Sequence, residues 1–235
     1  VSLIELKQVS KIYNTNSVPV RAINNLDLKI DTEEFTAIVG PSGSGKTTLL
    51  NMIGGLDNPT SGTIKIGGTD ISTFKTDAMI NFRLHNIGFV FQAYNLIPVF
   101  TAKENVEFIM LLQGESKEKR ETEAKNLLKA VNLGDKIDKK PTELSGGEQQ
   151  RVAVARALAS KPSFVLADEP TANLDSVTAN NLLDLMEKLN KENKMTFVFS
   201  THDSRVIERA HRVVTLRDGQ IDSDEKQNEL ALRQK

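Results

Sequence analysis

Residues 35–50, FTAIVGPSGSGKTTLL, leave this chain few folds to choose from. A short, largely apolar run of the kind buried in a sheet ends on a glycine loop, and the loop opens directly into a segment with helical spacing. The loop fits the pattern G-x-x-x-x-G-K-[ST] in the strand-to-helix setting that gives the pattern its meaning. Its glycines let successive backbone N–H groups converge on phosphate oxygens, and the following helix adds the positive end of its dipole. Gly40, Pro41, Ser42, Gly43, Ser44, Gly45, Lys46, Thr47 and Thr48 are therefore the expected nucleotide cradle. Lys46 brings an ammonium to the outer phosphates, and Thr47 offers a hydroxyl to a magnesium ion.

Three other apolar runs end on polar groups of the right chemistry. Asp168 closes FVLAD, so its carboxylate emerges at the carboxyl end of a buried strand, where ligands of parallel α/β sheets gather. An aspartate there is expected to hold the magnesium, directly or through water. Glu169 follows at once and points to the other side of the strand end. It either accepts a proton from, or orients, an attacking water, or it supports the metal without acting as a base. His202 lies just past FVFS, and Gln92 ends IGFVFQ. Taken alone, a histidine after a strand is more often a structural hydrogen-bonding residue than a catalytic one, and a glutamine ending an apolar strand is equally the point where the chain meets water. A second glycine turn, LSGGEQQ at residues 144–150, precedes a helical run, so the chain owns two anion cradles.

The remainder of the 235 residues sorts into a strand-rich core and a helical insertion. Alternating segments such as LIELKQVSKIY and AINNLDLKI read as strands, with a further strand at TIKIGG. Helical patterns follow at TAKENVEFIMLL, KEKRETEAKNLLKAVNL and GEQQRVAVARALAS, and an amphipathic one at NNLLDLMEKLN. The charged stretch ESKEKRETEAK reads as a solvated helix face. One domain is expected over 1–235, with a core at about 1–91 and 163–222, a helical subdomain at about 92–162 and a charged tail at 223–235 carrying a short helix through ELALRQK. Cysteine is absent, which removes disulfides and thiolate metal sites. A net charge of −1 gives no global reason to bind nucleic acid, and no apolar run is long enough to span a bilayer. The chain is accordingly expected to be soluble and cytoplasmic.

Taken together, GPSGSGKTT, GFVFQ, LSGGEQQ, FVLADE, ANLD and STHD resemble, in kind and order, the six motifs of the nucleotide-binding subunits of ATP-binding-cassette (ABC) transporters. LSGGEQQ is the most diagnostic, because other P-loop enzymes lack it. The resemblance covers residues 3–222 and implies an α/β P-loop cassette: a RecA-like mixed-sheet core, an N-terminal antiparallel β subdomain and an inserted helical subdomain. It also accounts for the two cradles. In the family two cassettes pair head to tail, each ATP lying between the glycine loop of one chain and the signature turn of the other. Ser145, Gly146, Gly147 and Glu148 would thus serve the neighbour's nucleotide from in front of a helix beginning near Glu148.

By the same resemblance Tyr13 stacks on adenine, with Val20 as a second apolar contact; the residue-level alternative for Tyr13 is a strand-edge core residue. Gln92 touches magnesium and the attacking water, His202 bonds the γ-phosphate, and Asp175 reaches across the dimer. Glu148 departs from the family's usual glutamine, and ANLD from its usual serine-alanine-leucine-aspartate. Neither change removes a backbone donor. FQAYNLIPVFTAKENVE resembles the branch holding the lipoprotein-release ATPase, the macrolide and peptide exporters and the cell-division cassette. That implies a membrane permease docking around Tyr94 to Phe108, and export or extraction of a peptide, lipoprotein or amphipathic drug. With no spanning segment before Lys235 the permease is expected as a separate polypeptide, and with every catalytic position filled a homodimer with two equal sites is expected. The alternative is a regulatory cassette that signals through a membrane partner without transport. A nucleic-acid or ribosome-directed relative fits less well, with one cassette, no cysteine and no sustained heptads.

Overall fold

The computed structural model describes residues 2–14 and 18–226. Two sheets and a helical layer build the chain. Strands β1 (Ser2–Asn14), β2 (Pro19–Asp31), β4 (Ser61–Ile66) and β5 (Thr69–Asp70) form an antiparallel sheet in the order β2-β1-β4-β5. The second sheet runs β10-β9-β3-β8-β7-β6, from strands β3 (Phe35–Val39), β6 (Ile87–Val90), β7 (Phe164–Asp168), β8 (Thr196–Ser200), β9 (Arg212–Arg217) and β10 (Gln220–Lys226). All of its pairings are parallel except β9 with β10. This is the mixed-sheet cassette with its antiparallel β subdomain.

The apolar runs read as strands are continuous rather than alternating because this sheet is covered on both faces. Along β7 and β8, Val165, Ala167, Phe197 and Phe199 enter a core shared with the helices, while Phe164, Leu166 and Val198 enter a core shared with the antiparallel sheet. Burying each large side chain fully contributes about 1.5–3 kcal/mol, so these two cores hold the three layers together. Helix α1 (Lys46–Ile53) sits in the second core through Leu49, Leu50, Met52 and Ile53.

Helices α3 (Ala102–Leu112), α4 (Lys117–Ala130) and α5 (Gly146–Ala159), with a 3-10 turn at Pro141–Glu143, make the insertion between β6 and β7. Capping boxes start α3 at Thr101 and Glu104, and α5 at Ser145 and Glu148. Most of the charged stretch is the start of α4, whose Lys119 pairs back to Glu115, just ahead of the Ser116 cap, at 2.6 Å. Helices α6 (Ser176–Asn193) and α7 (Ser204–Arg209) complete the core.

Two expectations change. Helix α2 (Thr76–Asn86) escapes sequence reading because its segment is mostly polar and buries only Met79. The sheet also runs past residue 222: Ser223 to Lys226 pair with β9, and Arg212 joins Asp224 at 2.7 Å and Glu34 at 3.1 Å. The charges read as a tail are there the ion pairs of an edge strand. The helix expected through ELALRQK lies outside the described residues. No helix among the described residues is long and apolar enough to cross a membrane.

Candidate functional site: a phosphate-binding cleft and a second glycine turn

Strands β3, β8, β7 and β6 are parallel neighbours, so their carboxyl ends fall in one row. The groups that leave those ends are the glycine loop, His202, the Asp168–Glu169 pair and Gln92. That is why residues far apart in sequence meet, at the edge where such sheets bind ligands. The loop (all but Ser44), Gln92, Glu169 and His202 line a cleft of about 660 Å³ together with Val20, Arg21, Ala22 and Ala172, while Asp168 is not among its walls.

The loop is shaped by positive φ at Gly40, Gly43 and Gly45. At Gly45, the N-cap of α1, a Cβ would lie 2.5 Å from the Ala22 carbonyl oxygen, so the loop's tight seat against β2 requires glycine. The Lys46 ammonium donates to the carbonyls of Gly40 (2.8 Å) and Pro41 (3.0 Å), spanning the loop. A phosphate entering the cleft exchanges those neutral acceptors for charged ones, which bind an ammonium more strongly.

Glu169 sits at φ +46°, with its N–H on the Ser200 carbonyl at 2.8 Å. This left-handed residue at the end of β7 separates its side chain from that of Asp168. Its Oε1 meets His202 Nδ1 at 2.7 Å and its Oε2 accepts the Thr201 hydroxyl at 3.0 Å. Burial pushes the Asp168 carboxyl up; the Glu169 charge adds to the rise, while Ser200, Thr47 and Lys46 oppose it. Asp168 Oδ1 is buried with no protein partner, as is Ser44 Oγ. An orphaned carboxylate oxygen beside a threonine hydroxyl at a phosphate loop fits magnesium, which needs one or two protein oxygens when phosphates and water supply the rest. No cluster of three or more acidic, histidine or cysteine ligands occurs among the described residues, so an all-protein cage is not the form such a site takes here.

The second glycine turn stands apart: neither Ser145, Gly146, Gly147 nor Glu148 lines the cleft. Helix α5 begins at Gly146 rather than near Glu148, so both glycines lie in its first turn. Their N–H groups then belong to the helix's unpaired amino end, which strengthens the cradle. A Cβ at Gly147 would meet Thr178 Cγ2 at 2.1 Å, and one at Gly146 the Tyr94 hydroxyl at 2.8 Å. Asp175 caps α6, its Oδ1 accepting from Val177 and Thr178 at 3.0 Å each. Tyr13 pairs across the sheet with Val20, but only Val20 lines the cleft. The Tyr13 hydroxyl donates to Asp57 at 2.7 Å, and the Lys11 ammonium lies 4.9 Å from the ring centroid.

A family model described as "ABC transporter" matches residues 23–172. The chain belongs to that family. This ABC cassette is an ATPase. It is 45% identical over 222 residues to the lipoprotein-releasing system ATP-binding protein LolD of Anaeromyxobacter dehalogenans, covering 94% of this chain and 93% of that protein. It is 46% identical over 222 residues to the macrolide export ATP-binding/permease protein MacB of Hyphomonas neptunium, covering 94% of this chain but spanning only 34% of MacB. Among solved structures, the dimeric, post-hydrolysis cassette MJ0796 bound to ADP and Pi has a TM-score of 0.88 at 43% identity, covering 95% of this chain and 98% of that one. MJ0796 comes from Methanocaldococcus jannaschii.

Several residues of the cassette's site lie within or beside the motifs without having been singled out from the sequence. Thr201 anchors Glu169, while Asp203 accepts the Thr171 hydroxyl at 2.6 Å and Arg205 at 2.6 Å. Asn173 donates to the Gln92 carbonyl at 3.0 Å, and buried Gln150 ties α5 to the Pro170 carbonyl at 2.9 Å. The Arg156 guanidinium holds the carbonyls of Tyr94 (2.8 Å) and Asn95, which follow Gln92 in left-handed conformation. Thr201 and Asp203 had membership of STHD as their cue, Asn173 that of ANLD and Gln150 that of LSGGEQQ; Arg156 had none. An apolar groove of about 630 Å³ lies past that loop, between β6 and α3, with Phe91, Ile97, Phe108, Ile109 and Leu112 among its walls.

Proposed function

We propose that this cassette is the nucleotide-binding subunit of a transporter and works as a head-to-tail pair of identical copies closing around two ATP molecules. The observation that carries the reading is the separation of its two cradles: the cleft holds one set of phosphate donors, and the Ser145 turn, outside it, holds the other. A second copy can bring its turn to the first copy's cleft. The pairing recorded for MJ0796 supports the same arrangement.

In the paired state Gly40 to Thr48 cradle the phosphates, Lys46 meets the outer ones, and Val20 and Tyr13 contact the base. Thr47, Asp168 and Gln92 hold magnesium, which neutralises phosphate charge. Glu169 aligns or deprotonates the attacking water, and His202, anchored through Nδ1, contacts the γ-phosphate through its other edge. Asp175 contacts the partner copy. The apolar groove and the Tyr94–Phe108 segment receive a membrane permease, which places the cassette at the inner face of the membrane. Likeness to LolD and MacB supports export or extraction of a lipoprotein, peptide or amphipathic drug.

The test is Glu169→Gln in ATP and low salt, examined by size-exclusion chromatography. Hydrolysis stops while binding persists, so a closed dimer accumulates. A variant that stays monomeric in saturating ATP, or that turns over at the parent rate, overturns the reading.

A further inference from the structure

The signature turn carries Glu148, and the structure gives that carboxylate two partners. Its Oε2 accepts the Ser145 N–H at 2.9 Å, and its Oε1 takes the Lys136 ammonium. The Ser145 Oγ in turn accepts the Glu148 N–H at 3.3 Å. With that oxygen accepting, the Ser145 hydroxyl proton and the first-turn N–H groups of Gly146 and Gly147 remain to face an anion.

A neutral amide at residue 148 could make the same bond to Ser145 without charge. A carboxylate instead sets a negative charge at the helix end where a triphosphate has to dock, and like charges repel there. Lys136 removes that conflict. Its contact is the main reason the Glu148 carboxyl is held below its usual range, with the Ser145 N–H second. The lysine comes from a braced loop between α4 and α5: the Ile137 carbonyl takes the Lys103 N–H at 2.9 Å, and the Lys139 carbonyl takes the Ala102 N–H at 2.7 Å. The ammonium is therefore delivered from backbone pinned to the start of α3.

We propose that Lys136 is a positioning residue of the second cradle, cancelling the charge of Glu148 so that the capping carboxylate fixes the Ser145 turn without repelling the neighbour's terminal phosphate. This rests on the paired-copy reading given above. It makes Lys136 and Glu148 one functional unit: either both charges or neither.

The experiment measures the ATP concentration giving half-maximal dimer, by light scattering, in the full chain carrying Glu169→Gln. Lys136→Met should raise that concentration about five- to tenfold, the effect of exposing one unit charge near a multiply charged phosphate. Adding Glu148→Gln should bring it back to within about twofold of the parent, because the unpaired charge is then gone. Thermal melts check that each variant folds. An unmoved midpoint in Lys136→Met, or a raised one that Glu148→Gln does not restore, overturns the proposal and leaves Lys136 a loop brace. A Glu169→Gln parent that never dimerises sinks the paired-copy reading, and this inference with it.

Discussion

Glu169 Oε1 and His202 Nδ1 lie 2.7 Å apart across the ends of β7 and β8, and Glu169 Oε2 takes the Thr201 hydroxyl at 3.0 Å. Both carboxylate oxygens are therefore held by the loop after β8, while β7 supplies only the backbone. The orientation of the proposed base is set by the neighbouring strand, so changes in that loop should alter turnover without touching the phosphate cradle.

Thr201→Val tests this. The hydroxyl is lost at nearly constant volume, leaving Glu169 Oε2 and the Asp203 N–H without a buried partner. Stability should fall by about 1–3 kcal/mol. The rate constant for ATP hydrolysis should drop roughly tenfold through misplacement of the carboxylate. ATP affinity by calorimetry should stay near the parent value; an equal loss of affinity and rate would contradict the division of labour.

Lys46→Ala should act on the other half. Its ammonium spans the Gly40 and Pro41 carbonyls and is the one mobile cation of the loop. A charge-assisted contact to phosphate contributes about 1.5–3 kcal/mol, so ATP affinity should fall about 10- to 100-fold in a calorimetric titration. Unchanged affinity would remove Lys46 from the nucleotide site.

Asp203 supplies a pH dependence. Its carboxyl is lowered from 3.8 to about 2, chiefly by Arg205, against burial and with help from the Thr171 hydroxyl. A group whose folded value is depressed stabilises the fold above its unfolded value, and that contribution disappears as pH falls from about 4 toward 2. Asp203→Asn should cost about 1 kcal/mol at neutral pH, solvent screening keeping it below the full shift. Melting curves of variant and parent should converge toward pH 2; a constant gap would contradict the charged contact.

Leu112 lines the apolar groove and is 55% exposed. Leu112→Glu should therefore leave the fold within about 0.5 kcal/mol of the parent. It should also leave the ATPase rate of the isolated cassette unchanged while reducing its recovery on membranes of the source cell. Equal recovery would place the permease contact elsewhere.

What the sequence revealed follows from how local each signal is. GPSGSGKTT carries its conformational demands within nine residues, and FVLAD and FVFS betray burial on two faces by being wholly or almost wholly apolar. Helix α2 is surface-bound on all sides but one, so no periodicity marks it. Residues 223–226 look like solvated charge until Arg212, on the adjacent strand, is seen to take Asp224. Helix α5 starts at Gly146, two residues before Glu148, and the close approach of Thr178 to Gly147 requires a glycine in that first turn. Tyr13 is singled out by the family resemblance alone, and its bond to Asp57, 44 positions away, has no local signal.

Arg156 holds the carbonyls of the elbow formed by Tyr94 and Asn95, bracing the chain that runs between groove and cleft. The Tyr94 hydroxyl abuts Gly146, at the start of the other cradle. In the paired-copy arrangement proposed above, a displacement of that one short segment would bear at once on Gln92 in its own copy and on the turn offered to the second copy.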